Sequence, residues 1–244
     1  MSSQVPNVAG RGDSSPSDNC DFCNEFAGRP ANAFGRIYGG DPESRVLFRS
    51  EHFAVIPSLG QIVEGYLLVL PRRHYKALGD LERVDFDELS TVSVLVGEVL
   101  AKEYGPCVFF EHGTRAEGVG GCGIYHAHLH AVPVDAALNP IGILKERYPY
   151  EEITDLGEIN RRSEGLDCYL FYQDLDAKRY LFNTGPLPSQ YLRKLLADMA
   201  GEEVWNWRDA GREERLLTTM QRLSHYFDLP KETVESHRPL NAAH

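Results

Sequence analysis

A chain of 244 residues, 42% of them hydrophobic and 10% aromatic, is long enough to bury one large core or two small ones and reads as soluble and globular. Its formal charge of -11 excludes the broadly positive surface that grips a DNA or RNA backbone, so no nucleic acid polymer is expected as a partner, while a small anion could still be held by backbone N–H groups or a few arginines. No apolar run reaches the ~18 residues of a membrane span, no charged-then-apolar leader opens the chain, and five cysteines are an odd number for a disulfide framework, so no membrane contact and a reducing, cytoplasmic setting are expected.

Taken in order, residues 1–18 are rich in Ser, Pro, Gly and Asn and offer little to bury, which predicts a disordered tail. Order should begin at CDFC. RVLFR and HFAVIP (52–57) read as two short strands, and GYLLVLP (65–71) as a buried strand that stops at Pro71. From Asp85 to Tyr104 apolar residues recur at helical spacing, with acids at the start and a lysine near the end, and Gly105 and Pro106 stop the helix. CVFFE (107–111) predicts a strand, HGTRAEGVGGCG (112–123) a loop with five glycines, and IYHAHLHAVPV a further strand. Beyond residue 136, IGILKERY predicts a short helix, CYLFYQDLDAKRYLFN (168–183) a hairpin, and PSQYLRKLLADMA and REERLLTTMQRLSHYF two helices. Strands, one long helix, then more strands predict an α+β fold with a mainly antiparallel sheet.

The chemistry concentrates at GCGIYHAHLHAVPV. Side chains alternate along a strand, so His126, His128 and His130 share one face while Ala127, Leu129 and Ala131 face a core. Same-face positions repeat every ~7 Å, too far for all three rings to reach one ion without bending. Two readings compete on the residues alone: a catalytic three-histidine metal centre, or a nucleophilic histidine helped by its neighbours. Glycines 118, 120, 121 and 123 precede the row and could turn N–H groups towards a phosphate, which favours phosphoryl chemistry at an imidazole.

HAHLHAV fits His-x-His-x-His-x-x with apolar x, and so resembles the histidine triad superfamily of nucleotide hydrolases and transferases. EGYLLVLPRRH (64–74) resembles the strand in these proteins that carries a histidine after a proline, and CDFC resembles their N-terminal Cys-x-x-Cys. The resemblance covers about residues 20–134. FFEHG with GCG also resembles the galactose-1-phosphate uridylyltransferase branch, although that branch has glutamine where this chain has His130.

The resemblance implies a division of labour. His128 would be the nucleophile that takes a nucleotidyl group from a nucleotide-containing small molecule, and His130 would contact phosphate oxygens. The backbone at Gly121, Cys122 and Gly123 would hold the phosphate, Gly123 standing where many members carry a serine or threonine. Ser58 falls where many members hold the ribose with an aspartate, and His112 where other branches place an asparagine near the phosphate. Arg115 could neutralise phosphate charge. Cys20, Cys23, His74 and His126 match the ligands of a structural zinc ion in several members, with no coordination position left open. Homodimers are common in the family. The implied architecture is a HIT-like catalytic core over 19–136, with a C-terminal extension of helices and a hairpin over 137–244. Two alternatives stand beside the enzyme: a zinc-stabilised nucleotide-binding module with little turnover, and a three-histidine metallohydrolase.

Overall fold

The computed structural model describes residues 19–115, 123–209, 211 and 213–227; the expected tail at 1–18, Gly121 and Cys122 lie outside the described residues. The first described element is the helix α1 (Asp21–Phe26), followed by α2 (Ala33–Tyr38), the strands β1 (Phe48–Arg49), β2 (Phe53–Pro57) and β3 (Leu67–Pro71), and the long helix α3 (Arg83–Glu103). The strands β4 (Cys107–Thr114) and β5 (Leu129–Pro133) come next. After them run α4 (Ile141–Arg147), β6 (Tyr150–Ile153), α5 (Glu158–Arg162), β7 (Cys168–Gln173), β8 (Arg179–Phe182), α6 (Tyr191–Ala200) and α7 (Glu214–Phe227). The eight strands form one sheet in the order β1-β2-β3-β5-β4-β7-β8-β6, every neighbouring pair antiparallel. The fold is α+β, and no helix among the described residues is long and apolar enough to cross a membrane.

Both faces of the sheet are covered. On one, Val55, Leu67, Val69, Phe109, Leu129 and Ala131 pack against Leu89, Val92, Val96 and Val99 of α3, whose apolar residues recur at three- and four-residue spacing. On the other, Ile56, Leu68, Phe110, Val132, Leu170 and Tyr172 meet Phe22 of α1, Leu144 of α4 and Leu192 and Leu196 of α6. Neighbouring strand residues therefore alternate between two buried layers, which is why the strands read as near-continuous apolar runs rather than as apolar-polar alternation. The helix Arg83–Glu103 starts two residues before the expected Asp85 and ends one before Tyr104.

Three expectations need correcting. RVLFR pairs in the sheet only at Phe48–Arg49. IYHAHLHAVPV enters the ladder only at Leu129, so His126 and His128 lie on the approach to the strand, although Ala127 still falls in the α3-side core. CVFFE runs on to Thr114, which lifts His112 out of the expected loop into the sheet. The cause of the last is β7, far away in sequence, which pairs with β4 from Phe109 to Thr114. Gly113 permits this pairing because a Cβ there would stand 2.3 Å from the Tyr169 ring.

Two further ties set the frame. Gly65 takes φ +83 at the entry to β3, where a Cβ would lie 2.5 Å from the Tyr104 ring at the end of α3, and its N–H donates to Thr219 Oγ1 of α7 at 2.9 Å. Glu111, on the α3 side of β4, accepts from Leu78 N and from Tyr169 Oη, both at 2.6 Å. Burial raises its carboxyl to about 8 against the pull of those two bonds.

Gly65→Ala should cost about 2 kcal/mol or more, because neither the left-handed backbone nor the Tyr104 ring accommodates a methyl; urea titration measures it, and a change within ~0.5 kcal/mol would refute the tight fit. Since the folded-state value of Glu111 lies above the ordinary 4.5, the stability it contributes is fully present below about pH 4.5 and drains away as pH rises to about 8. Glu111→Gln should therefore flatten the decline in melting temperature across that window, and an unchanged pH profile would show that Glu111 is not the titrating group.

Candidate functional site

Cys20 and Cys23 are spaced by the first turn of α1. Cys20 sits at the N-cap, its sulfur accepting the Cys23 N–H at 3.5 Å, so the helix turns both sulfurs the same way. His74 follows the end of β3 and His126 precedes β5, two segments held side by side by the Ala127 N–H bond to Tyr75 O at 2.6 Å. The result is a cluster in which one ligand atom from each of Cys20, Cys23, His74 and His126 lies within 4.8 Å of the others. Cys20 Sγ and Cys23 Sγ stand 3.4 and 3.6 Å from His126 Nδ1, and Cys23 Sγ stands 3.4 Å from His74 Nδ1. Those spacings match the ~3.6 Å edge of a tetrahedron built on ordinary zinc–sulfur and zinc–nitrogen bond lengths.

The proton arrangement suits a cation as well. His126 Nε2 faces the Pro71 carbonyl at 2.8 Å, and a carbonyl can only accept, so the proton is on Nε2 and the Nδ1 lone pair is turned to the sulfurs. A backbone carbonyl holding the far nitrogen of a ligand histidine is the usual support of a metal site. The Cys23 thiol is held far below the ordinary thiol range by the hydrogen bond from Cys20, with His126 and His74 adding to the pull; Cys20, as the proton-bearing partner, is pushed up. These four residues form a set that can hold a metal ion.

His128, two residues on, is fixed by the same piece of backbone. Its Nδ1 donates to the His126 carbonyl oxygen at 2.6 Å, which leaves Nε2 with the lone pair. Its ring stands edge-on to Phe22 at 5.5 Å, and Phe22 also meets the His126 ring at 5.7 Å, so one aromatic of α1 braces both histidines. His130 is stacked on Phe110, its partner across β4 and β5, at 4.4 Å, and its Nδ1 is 2.7 Å from Tyr66 Oη. The His128 and His130 rings come within 4.7 Å, closer than the ~7 Å repeat of same-face strand positions, because the chain bends before β5. Burial lowers both imidazoles, His128 to about 4, and the nearby charges of Arg193 and His112 push the same way, so both rings are neutral at physiological pH.

His128 and His130 open onto a cleft of about 330 Å³ whose other walls include Phe22, Ser58, Arg193 and Trp207. Ser58 is thus brought to the triad as expected, but its hydroxyl is engaged: it accepts from Arg193 Nη1 at 3.0 Å and donates to Leu59 O at 3.1 Å. Arg193, from α6, was not foreseen. It is 1% exposed, its acceptors are neutral oxygens of Ser58, Leu59, Gly60 and Trp205, and its guanidinium lies 5.0 Å from the Tyr66 ring. An arginine on a helical stretch carries no sign in sequence that it will be buried; only the apolar neighbours Leu192 and Leu196 hinted at that face. Trp207 forms another wall of the cleft.

The remaining expected residues divide. His112 lies on the cleft side of β4, 6% exposed, and neither ring nitrogen has a hydrogen-bond partner. Gly123 takes φ +84, and a Cβ there would fall on the Arg208 guanidinium, whose Nη2 donates to the Gly123 carbonyl at 3.1 Å. Where a hydroxymethyl group was missed in the sequence, an arginine from the C-terminal segment fills the space. Arg115 is not brought to the site: it pairs with Asp80 at 2.6 Å and donates to the Ser163 and Leu166 carbonyls, tying the end of β4 to the loop after α5.

The family model described as scavenger mRNA decapping enzyme C-term binding matches residues 31–141. An uncharacterised HIT-like protein of Chlamydia muridarum is 30% identical over 107 residues, which is 42% of this chain and 81% of the relative. Among solved structures, a HIT family protein from Bacillus anthracis is 22% identical with a TM-score of 0.38, covering 48% of this chain and 73% of its own. A Zn-bound histidine triad family protein from Mycobacterium smegmatis is 17% identical with a TM-score of 0.32, covering 54% and 88%. The likeness to the uridylyltransferase branch rests on FFEHG and GCG alone, and the glutamate of that motif, Glu111, faces Leu78 and Tyr169. With the triad histidines, the sheet that carries them and the Chlamydia relative in agreement, the chain belongs to the histidine triad superfamily.

Proposed function

We propose that the protein is a nucleotidyl hydrolase or transferase that passes a nucleotidyl group through a covalent adduct on His128. The observation that carries this reading is the His128 Nδ1 bond to the His126 carbonyl at 2.6 Å, which leaves the Nε2 lone pair on a ring that lines the cleft. Attack by Nε2 on the α-phosphorus forms a P–N bond as the P–O bond to the leaving group breaks; water or a second acceptor then breaks the P–N bond and frees the ring. His130, oriented by Phe110 and Tyr66, steadies the phosphate oxygens. Arg193 adds positive charge that offsets the phosphate, and Ser58 and Trp207 line the space for sugar and base. Splitting one displacement into two at a preset imidazole spares the enzyme a direct attack by water.

Within the same reading the Cys20, Cys23, His74 and His126 cluster holds zinc, which two thiolates and two imidazoles favour. All four positions are taken by protein, so the ion supplies a rigid crosslink between α1 and the approach to β5. The three-histidine metallohydrolase is the weaker alternative, because the triad nitrogens diverge: His126 Nδ1 faces the sulfurs, His128 Nδ1 faces the His126 carbonyl and His130 Nδ1 faces Tyr66.

Two outcomes are expected. Incubation with α-phosphate-labelled dinucleoside polyphosphates, nucleotide sugars or nucleoside phosphoramidates should yield an acid-labile, alkali-stable label on the protein. His128→Asn should abolish that label and lower turnover by about a thousandfold or more; metal-dependent turnover without any adduct would overturn the assignment. The purified protein should carry one zinc per chain by elemental analysis, and Cys23→Ser should lose it and lower the melting temperature by several degrees, on the order expected when a structural ion is removed. Immediate loss of turnover on chelation with the fold intact would instead favour a catalytic ion.

A further inference from the structure

Among the described residues, His112 is a triad-side imidazole with both ring nitrogens idle. It is 6% exposed, and neither Nδ1 nor Nε2 has a hydrogen-bond partner. A buried polar atom without a partner is costly, and native structures keep few of them without a use. Its position is set by β4. The β4–β5 pairing ends at Phe110 and His130, and two residues further along the same face of β4 His112 shares a cavity wall with His128. The rings are close enough for the charge of His112 to be felt at His128. Both line a small cavity whose walls also include Lys76, Glu111, Thr114, Tyr125 and His126.

The cavity shares His128 and Ile124 with the cleft that Ser58 and Arg193 line. A phosphate attacked by His128 Nε2 has its leaving group on the side of phosphorus away from that nitrogen, so the departing oxygen needs a proton from a group other than the attacking ring. The hydroxyl that might have served the departing oxygen is absent at Gly123, and the Arg208 guanidinium occupies its place. An arginine can offset charge there but does not give up a proton.

We propose that His112 is the acid for the leaving group, a catalytic residue that gives its proton to the departing oxygen. The inference rests on the nucleotidyl-transfer reading of His128 and adds the step that reading lacks. As His128 Nε2 forms its bond to phosphorus and the P–O bond breaks, the electron pair stays on the leaving oxygen and the His112 proton neutralises it. His112, now neutral, takes a proton from the incoming water as that water attacks the adduct, and the P–N bond breaks to release the nucleotide. Protons balance over the cycle, and the ring that begins as acid ends as acid. Lys76 and the His126 and His128 imidazoles line the cavity, so the negative charge of the bound phosphate is what allows His112 to hold a proton there; in the free protein burial lowers it to about 4.

The test compares two esters of each of the four common nucleoside 5′-phosphates, a 4-nitrophenyl ester, whose phenolate departs without help, and an ethyl ester, whose alkoxide needs a proton. His112→Leu and His112→Asn should each slow ethyl ester cleavage by ~100-fold or more, the range of general acid catalysis, while nitrophenyl ester cleavage changes by less than about threefold. His112→Leu should melt no lower than the wild type, since it removes both idle buried nitrogens. Equal losses on both esters, with the His128 label still forming, would mean that His112 only positions the phosphate and would overturn the proposal alone. No loss on either ester would overturn it too. Wild-type protein that cleaves neither ester and takes no label would overturn the nucleotidyl-transfer reading and this role with it.

Discussion

The structure turns on one residue held at three points. His126 offers its Nδ1 lone pair to the Cys20 and Cys23 sulfurs, gives its Nε2 proton to the Pro71 carbonyl, and accepts the His128 Nδ1 proton on its own backbone oxygen. The first two contacts fix the ring and therefore the peptide that follows it; the third passes that rigidity to the next triad ring. An imidazole that can rotate loses most of its use as a nucleophile, because its lone pair must meet phosphorus along one direction. Here the tautomer and the direction are both decided by bonds of 2.6 to 2.8 Å before any ligand arrives. Phe22, set between the two cysteines of α1, closes the arrangement by packing on both rings.

Around that pivot the sheet separates tasks by face. Ala127, Leu129 and Ala131 anchor the triad segment in the core under α3, while the histidines between them face the opposite layer. That opposite layer is roofed largely by elements beyond residue 136. Strands β7 and β8 extend the sheet past β4, and α6 delivers Arg193 into the cleft wall. Burial lowers the basicity of His128 and His130, and the charge of the guanidinium buried beside them pushes the same way.

Much of this was legible in the residues. The alternation of HAHLHAV placed three histidines on one face, the Cys-x-x-Cys and His74 lay where a fourfold ligand set needed them, and the helical spacing after Asp85 marked α3 to within two residues. The parts that stayed hidden depend on partners distant in sequence. His112 read as a loop residue because glycines surround it, yet β7 recruits that stretch into the ladder and Gly113 makes room for the Tyr169 ring. Arg115 read as a phosphate contact because it neighbours the glycines, and it turns instead to Asp80 and Ser163. Arg193 and Arg208 carried no local pattern, since whether an arginine is solvated or buried is decided by what folds over it.

The filling of the Gly123 gap by Arg208 has an evolutionary consequence. In this chain the turn at position 123 and the segment after α6 are coupled: the φ of +84 favours glycine, and the exposed Arg208 guanidinium lying over it must swing aside before a Cβ fits. The two positions should drift as a pair across related lineages, with serine or threonine at the first accompanied by a small or absent side chain at the second. Descendants that kept the arginine would have become committed to glycine, and with it to finding their proton donor elsewhere in the fold.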